Sequence, residues 1–209
     1  MNILSIQSML IGFFFILISG CASTNASQII IDSTSSTPGT SVFLKGEPHI
    51  LIGTALEIGK PLPKTILTDA YTMKKVDLSQ FKGKVLLISL VPSIDTKVCE
   101  AQTHYLGERG VNLPDDVVRV TISRDTPFAQ KRFSEEAKLH NITFLSDYRD
   151  GSFGKATGLL IDDSMLLARS VIVVDRLGVV RYIQVVPELS HLPDMGTAFS
   201  KAKELFNEK

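Results

Sequence analysis

The chain has two thiols, Cys21 and Cys99, and the surroundings of Cys99 are the ones suited to reaction chemistry. Cys99 ends the stretch Pro92-Ser93-Ile94-Asp95-Thr96-Lys97-Val98-Cys99, which follows a continuous run over 85–91 that is apolar but for Ser89. If that run is a buried strand and a helix starts near Lys97, Cys99 lies in the helix's first turn. There it meets backbone N–H groups without helical partners and the positive end of the helix dipole. Both favour the thiolate, which is the nucleophilic form of cysteine. The plain alternative is a small buried core residue. Thr96 precedes Cys99 by one turn, and Thr96 or Asp95 can serve as the helix N-cap. Dithiol exchange through C-x-x-C is excluded, because the two positions that could supply the second thiol hold Thr96 and Gln102. Two cysteines also cannot form the disulfide framework of a small secreted domain.

Several elements are needed to place such a thiol. The run over 85–91 is short, partly β-branched and closed by Pro92, so it reads as a buried central strand. A helix over 97–106 follows, closed by Gly107. Residues 117–123 form a second buried strand, and 127–139 a helix with Pro127 in its first turn. A short helix spans 152–157 and ends at Gly158. Residues 170–175 and 179–186 form a hairpin across Arg176-Leu177-Gly178, and a last helix covers 194–207. Upstream, 42–44 and 49–51 flank Lys45-Gly46-Glu47-Pro48 as a hairpin. Residues 56–63 form a loop, and 65–68 with 75–78 a second strand pair. The order predicts an α/β protein with a thioredoxin-like fold and an N-terminal β-hairpin extension.

The motif P-x-x-x-T-x-x-C resembles the active-site pattern of peroxiredoxins, and the form seen here is similar to that of the thiol peroxidase subgroup. Two more stretches agree: Ser123-Arg-Asp-Thr-Pro127-Phe-Ala-Gln130-Lys-Arg-Phe133, and Ala168-Arg169-Ser-Val-Ile-Val-Val-Asp175. The resemblance runs from about Val42 to the C-terminus. It implies a peroxidase of peroxiredoxin-type fold in which Cys99 attacks the peroxide O–O bond and becomes a sulfenic acid. It assigns Thr96 a hydrogen bond to the peroxide, and Arg169 the stabilisation of the thiolate and of charge on the leaving oxygen. Pro92 shields the pocket. Without the resemblance, Arg169 reads as a surface strand arginine. Related enzymes carry a second, resolving cysteine on the helix after Pro127, where this chain has Ser134. That departure implies a one-cysteine cycle closed by an external thiol, from a thioredoxin-like protein or a small molecule. A homodimer is implied by the resemblance alone.

Neither a cofactor nor a metal is expected. His49, His104, His140 and His191 are widely spaced, with no cysteine or carboxylate at ligand spacing. No Gly-rich phosphate cradle follows a strand. Asp147, Asp150, Asp162 and Asp163 read as turn and capping residues. The 22 basic and 22 acidic residues balance, so nucleic acid is not an expected partner.

The N-terminus reads as a targeting segment. Residues 9–18 are apolar throughout, about half the ~20 residues of a membrane-spanning helix and suited to a signal peptide's apolar region. No Lys or Arg precedes them. Ile18-Ser19-Gly20-Cys21 resembles a bacterial lipobox, which implies cleavage of a signal peptide (1–20) and lipidation of Cys21. Residues 21–41, rich in Ser, Thr and Ala, are expected to be a flexible tether, with the folded domain over 42–209. Ala22 at the next position implies export to an outer membrane where one exists. The expected location is the bacterial cell envelope. Two rival functions remain on the same fold. A metal-delivering protein would need a second thiol near Cys99, where Asp95 stands. A degenerate, non-catalytic module for envelope redox sensing or binding would explain the lost resolving cysteine, but has no need of Pro92, Thr96 and Arg169 together.

Overall fold

The structure, a computed structural model, describes residues 29–208. The expected signal segment 1–20, the expected lipidation site Cys21 and the start of the expected tether lie outside the described residues. Short strands come first: β1 (Ile31–Asp32), then the hairpin β2 (Ser41–Leu44) and β3 (Glu47–Ile52). Lys45 and Gly46 turn this hairpin at φ of 54° and 86°, the left-handed pair a two-residue hairpin loop requires. A second hairpin joins β4 (Ile66–Asp69) and β5 (Lys75–Asp77). Then β6 (Val85–Leu90), α1 (Lys97–Arg109), β7 (Val117–Ser123) and α2 (Pro127–Glu136) alternate. β8 (Thr143–Ser146), α3 (Ser152–Thr157) and β9 (Leu160–Ile161) follow. The chain closes with β10 (Ser170–Val174), β11 (Val180–Val185), β12 (Leu192–Pro193) and α4 (Met195–Asn207).

The main sheet has the order β11-β10-β6-β7-β8-β4-β5. Its centre is parallel, β6 against β7 and β7 against β8, while β10 runs antiparallel to β6. All six residues of β6 are buried because both faces of the sheet are covered. Val85 and Leu87 pack with Leu106 of α1 and Ala198 and Ala202 of α4. Leu86, Ile88 and Leu90 face the other way, toward Phe153 of α3 and the small sheet β2-β3-β9. The largely apolar run is thus two alternating faces, each with its own core. Among the described residues, no helix is long and apolar enough to cross a membrane.

Three expectations need correction. The tether ends sooner than residue 41. β1 pairs in parallel with β12, and the Ser36 and Gly39 N–H groups donate to the Val185 and Gly158 carbonyls, both at 2.8 Å. The buried Gln184 amide adds bonds to the carbonyls of Asp32 at 2.7 Å and Thr34 at 2.9 Å. A Ser- and Thr-rich strip needs little apolar burial when partners on the domain take its backbone groups. Second, α1 does not stop at Gly107. A Cβ there would lie 2.5 Å from Leu139 Cδ2, so the glycine permits a close approach inside the helix and does not end it. Third, 127–139 is not one helix. Lys138 at φ 56° breaks it, and the chain turns back into β8, a strand the sequence reading missed.

Asp194 caps α4. Its carboxylate accepts from the Thr197 N–H at 3.0 Å and hydroxyl at 2.7 Å. Those two bonds hold its carboxyl below the usual aspartate range. Asp194→Ala should lower stability by about 1 kcal/mol at neutral pH. Because the folded carboxyl titrates below the unfolded one, this contribution is present above about pH 4 and is lost as pH falls through the folded value. Urea denaturation of wild type and variant across pH 2–7 checks it: the two midpoints should converge at the acid end.

Candidate active site

The site forms where β6 ends and α1 begins. Cys99 lies in the first turn of α1 and is fully buried. Val91 and Ile94 surround it, and Ala129 and Phe133 of α2 close over the cluster. The Thr103 hydroxyl donates to the Cys99 carbonyl at 2.8 Å and ties the first two turns together.

Arg169 arrives through sheet pairing. β10 starts opposite the end of β6, with Ser170 beside Leu90, so the residue just before β10 stands next to the α1 start. Its side chain is only 2% exposed, which corrects the surface-arginine reading. All three guanidinium nitrogens are engaged. Nη2 donates to Cys99 Sγ at 3.3 Å, Nη1 to Gln102 Oε1 at 2.8 Å, and Nε to the Leu189 carbonyl at 2.9 Å. Two of these acceptors are neutral, and among the described residues no carboxylate forms an ion pair with Arg169. A buried cation needs a compensating partner. Of its three acceptors, only the Cys99 sulfur can become an anion.

Gln102, which in the sequence marks only the absence of a second thiol, is part of the site's hydrogen-bond geometry. It is fully buried one turn after Cys99, on the same face of α1. Its Nε2 donates to Ser89 Oγ at 2.7 Å, which leaves Oε1 to receive Arg169. The amide therefore fixes the guanidinium fork relative to the sulfur. The three-residue spacing from Cys99 was the available signal.

Pro92 and Thr96 frame the approach. Pro92 is half-buried directly after β6, and Thr96 is exposed at the N-cap position of α1. Its side chain makes no capping bond; the hydroxyl donates instead to the Ser93 carbonyl at 3.3 Å. Ser134, on α2, is fully buried. It accepts from the Tyr71 hydroxyl at 2.8 Å and donates to the Leu139 carbonyl at 3.1 Å.

The remaining candidates lie apart from this site. His49 meets Asp163 at 2.7 Å, His104 meets Glu108 at 2.9 Å, and His191 meets Asp32 at 3.3 Å. Among the described residues, no group of three His, Cys, Asp or Glu could hold a metal ion. Asp147 accepts from the Phe153 and Gly154 N–H groups at the start of α3, and burial pushes its carboxyl above the usual range.

A family model described as Redoxin matches residues 57–199. The thiol peroxidase of Halalkalibacterium halodurans is 45% identical over 164 residues, covering 78% of this chain and 97% of that protein. The chain belongs to the redoxin family, among its thiol peroxidases. The Listeria monocytogenes thiol peroxidase is 44% identical over 165 residues, covering 79% of this chain and 99% of its own. A solved peroxiredoxin-like protein from Aquifex aeolicus superposes with a TM-score of 0.75 at 34% identity, over 83% of this chain and 99% of that one. The Chromobacterium violaceum thiol peroxidase has a TM-score of 0.70 at 23% identity, over 84% and 98% of the two chains, and agrees in fold. The thioredoxin-like expectation stands, and the enzyme is a thiol-dependent peroxidase. The non-catalytic alternative is not favoured.

Proposed function

We propose that Cys99 is the peroxidatic residue of a one-cysteine cycle run at a membrane surface. The Cys99 thiolate attacks one peroxide oxygen. The O–O bond breaks, the sulfur is oxidised by two electrons to a sulfenic acid, and the departing oxygen leaves as water or an alcohol after taking up a proton. Arg169, already on the sulfur, stabilises both the thiolate and the charge developing on the oxygens. The first N–H groups of α1, which carry no side-chain cap, are donors available to the peroxide, and the Thr96 hydroxyl becomes one by exchanging its 3.3 Å bond to the Ser93 carbonyl for the peroxide. A thiol then attacks the sulfenic sulfur, expelling water and leaving a mixed disulfide, and a second thiol releases Cys99 in reduced form.

The observation that carries this reading is the Arg169 Nη2 to Cys99 Sγ hydrogen bond of 3.3 Å inside a buried site. The external reductant follows from Ser134. A serine cannot form a disulfide, and this hydroxyl is already occupied between Tyr71 and Leu139. Lipidation of Cys21 as a thioether would remove the other thiol in the chain. The same modification would hold the enzyme at the bacterial cell envelope, so the reductant would be a thiol supplied on that side of the membrane.

The test is direct. The full chain is treated with hydrogen peroxide and a sulfenic-acid trap, and the adduct is located by mass spectrometry. An adduct at Cys99, and discharge of the oxidised protein by an added monothiol, are expected. No adduct at Cys99 would sink the reading.

A further inference from the structure

The turn over 92–96 carries Pro92, Ile94 and Thr96, yet the main sheet does not hold it. Its hydrogen bonds come from beyond the neighbouring strand. Asp125 follows β7, and both of its carboxylate oxygens reach across to the turn. Oδ1 accepts from the Ser93 hydroxyl at 2.8 Å, and Oδ2 from the Ile94 N–H at 2.9 Å. From Ser93 the bonding continues along the turn. Its Oγ accepts from the Asp95 N–H at 3.4 Å, and its carbonyl accepts from the Thr96 hydroxyl at 3.3 Å. Ile94 is 1% exposed and packs with Cys99.

Asp125 is itself braced. Its N–H donates to Ser123 Oγ at 3.3 Å, and its carbonyl accepts from the Ser146 hydroxyl. The buried Gln130 amide donates to the same Ser123 Oγ at 2.8 Å and to the Leu145 carbonyl at 3.0 Å. The carboxylate is therefore fixed by the ends of β7 and β8 and by α2. The exposed Arg132–Asp95 pair at 3.2 Å adds a second, weaker tie from α2 to the turn.

We propose that Asp125 is a positioning residue for peroxide reduction: by gripping Ser93 and Ile94 it sets the Thr96 hydroxyl and seats Ile94 as the cover of the Cys99 sulfur. The proposal rests on the reading of Cys99 and Thr96 as groups that meet the peroxide. It makes the stretch Ser123-Arg124-Asp125 part of the active-site frame rather than a simple strand-to-helix connection. A carboxylate suits the task because it accepts two bonds at once from a fixed root.

The experiment compares the full-length wild type, Asp125→Ala, Asp125→Asn and Ser93→Ala. Two rates are measured on each: kcat/KM for hydrogen peroxide, and alkylation of Cys99 by iodoacetamide. Asp125→Ala should lower kcat/KM by roughly 10- to 100-fold, the scale of a misplaced catalytic group. It should at the same time raise the alkylation rate several-fold, because the cover over the sulfur loosens. Opposite signs rule out a duller thiol, which would slow both reactions; unfolding would also expose the buried Cys99 to alkylation, so the rates are compared only among variants that keep a cooperative thermal transition close to the wild-type midpoint. Asp125→Asn keeps an oxygen for the Ile94 N–H and an amide that can donate to Ser93 Oγ, so it should stay within a few-fold of wild type on both. Ser93→Ala should show the same two signs at smaller size, and it decides the matter if Asp125→Ala does not fold. Unchanged rates in the alanine variants, rates that fall together, or an asparagine variant as impaired as the alanine one would overturn the proposal. Failure of the underlying reading is visible separately, as wild type without Cys99-dependent turnover.

Discussion

Cys99→Ser should reduce peroxide turnover to the uncatalysed background while leaving the fold in place. Serine differs from cysteine by one atom, and the new hydroxyl keeps a donor in Arg169 Nη2, now 3.3 Å from the sulfur. The packing shell of Val91, Ile94, Ala129 and Phe133 is unchanged by the swap. The cost of a buried hydroxyl with a partner is about 1 kcal/mol or less, so the variant should unfold cooperatively close to the wild-type midpoint. Chemistry is another matter. Sulfur reacts as an anion that is readily formed and easily oxidised, whereas a serine hydroxyl at neutral pH is neither. Because Ser134 offers no second thiol, no other side chain of the described residues can take over. Thiol-dependent consumption of hydrogen peroxide, measured beside thermal unfolding, checks both halves. Turnover surviving in a folded Cys99→Ser protein would show that the reaction runs elsewhere.

What the sequence displayed about this site depended on how local each feature is. The β6–α1 junction was legible because strand, proline and helix start are contiguous, and the positions of Cys99 and Thr96 follow from that one stretch. The fully buried strands β6 and β10 were legible from their largely apolar runs, each with a single serine. β8 was not, since only Phe144 and Leu145 mark it, one for each core, and its partners β7 and β4 are distant or antiparallel. Arg169 was legible only by resemblance. Nothing near it in the chain shows that β10 will run back beside β6 and bury it. Gln102 and Asp125 work through partners 67 and 31–32 residues away, so each looks like an ordinary polar residue until the sheet closes. The N-terminal strip misled for a related reason. Its composition suits a tether, but the groups that hold residues 31–41 belong to Gly158, Gln184, Val185 and β12.

Arg169→Met should lower kcat/KM for hydrogen peroxide by about 10²- to 10³-fold, the usual cost of removing a positioned donor from developing negative charge. Methionine approximates the length and apolar stem of arginine and carries neither charge nor donors. The loss has two sources. In the resting enzyme the sulfur loses the guanidinium donor that now sits 3.3 Å away. In the transition state the oxygens lose a donor already aimed at the sulfur they approach. Arg169→Lys separates charge from geometry. A lysine ammonium can keep the charge near Cys99, but a single nitrogen cannot bond the sulfur, Gln102 Oε1 and the Leu189 carbonyl in the directions the fork now spans. Lysine should therefore recover only part of the rate, falling between methionine and wild type. The effect on stability should be smaller than the effect on rate. Methionine leaves the buried Gln102 Oε1 and the Leu189 carbonyl without this donor, at about 1–3 kcal/mol each, but it also removes a buried cation that has no carboxylate partner among the described residues. The two contributions oppose each other. A rate ratio far larger than any shift in the urea midpoint is the expected outcome. A methionine variant that keeps wild-type kcat/KM would remove Arg169 from the chemistry. Equal rates for lysine and wild type would show that charge alone matters and that the fork held by Gln102 does not.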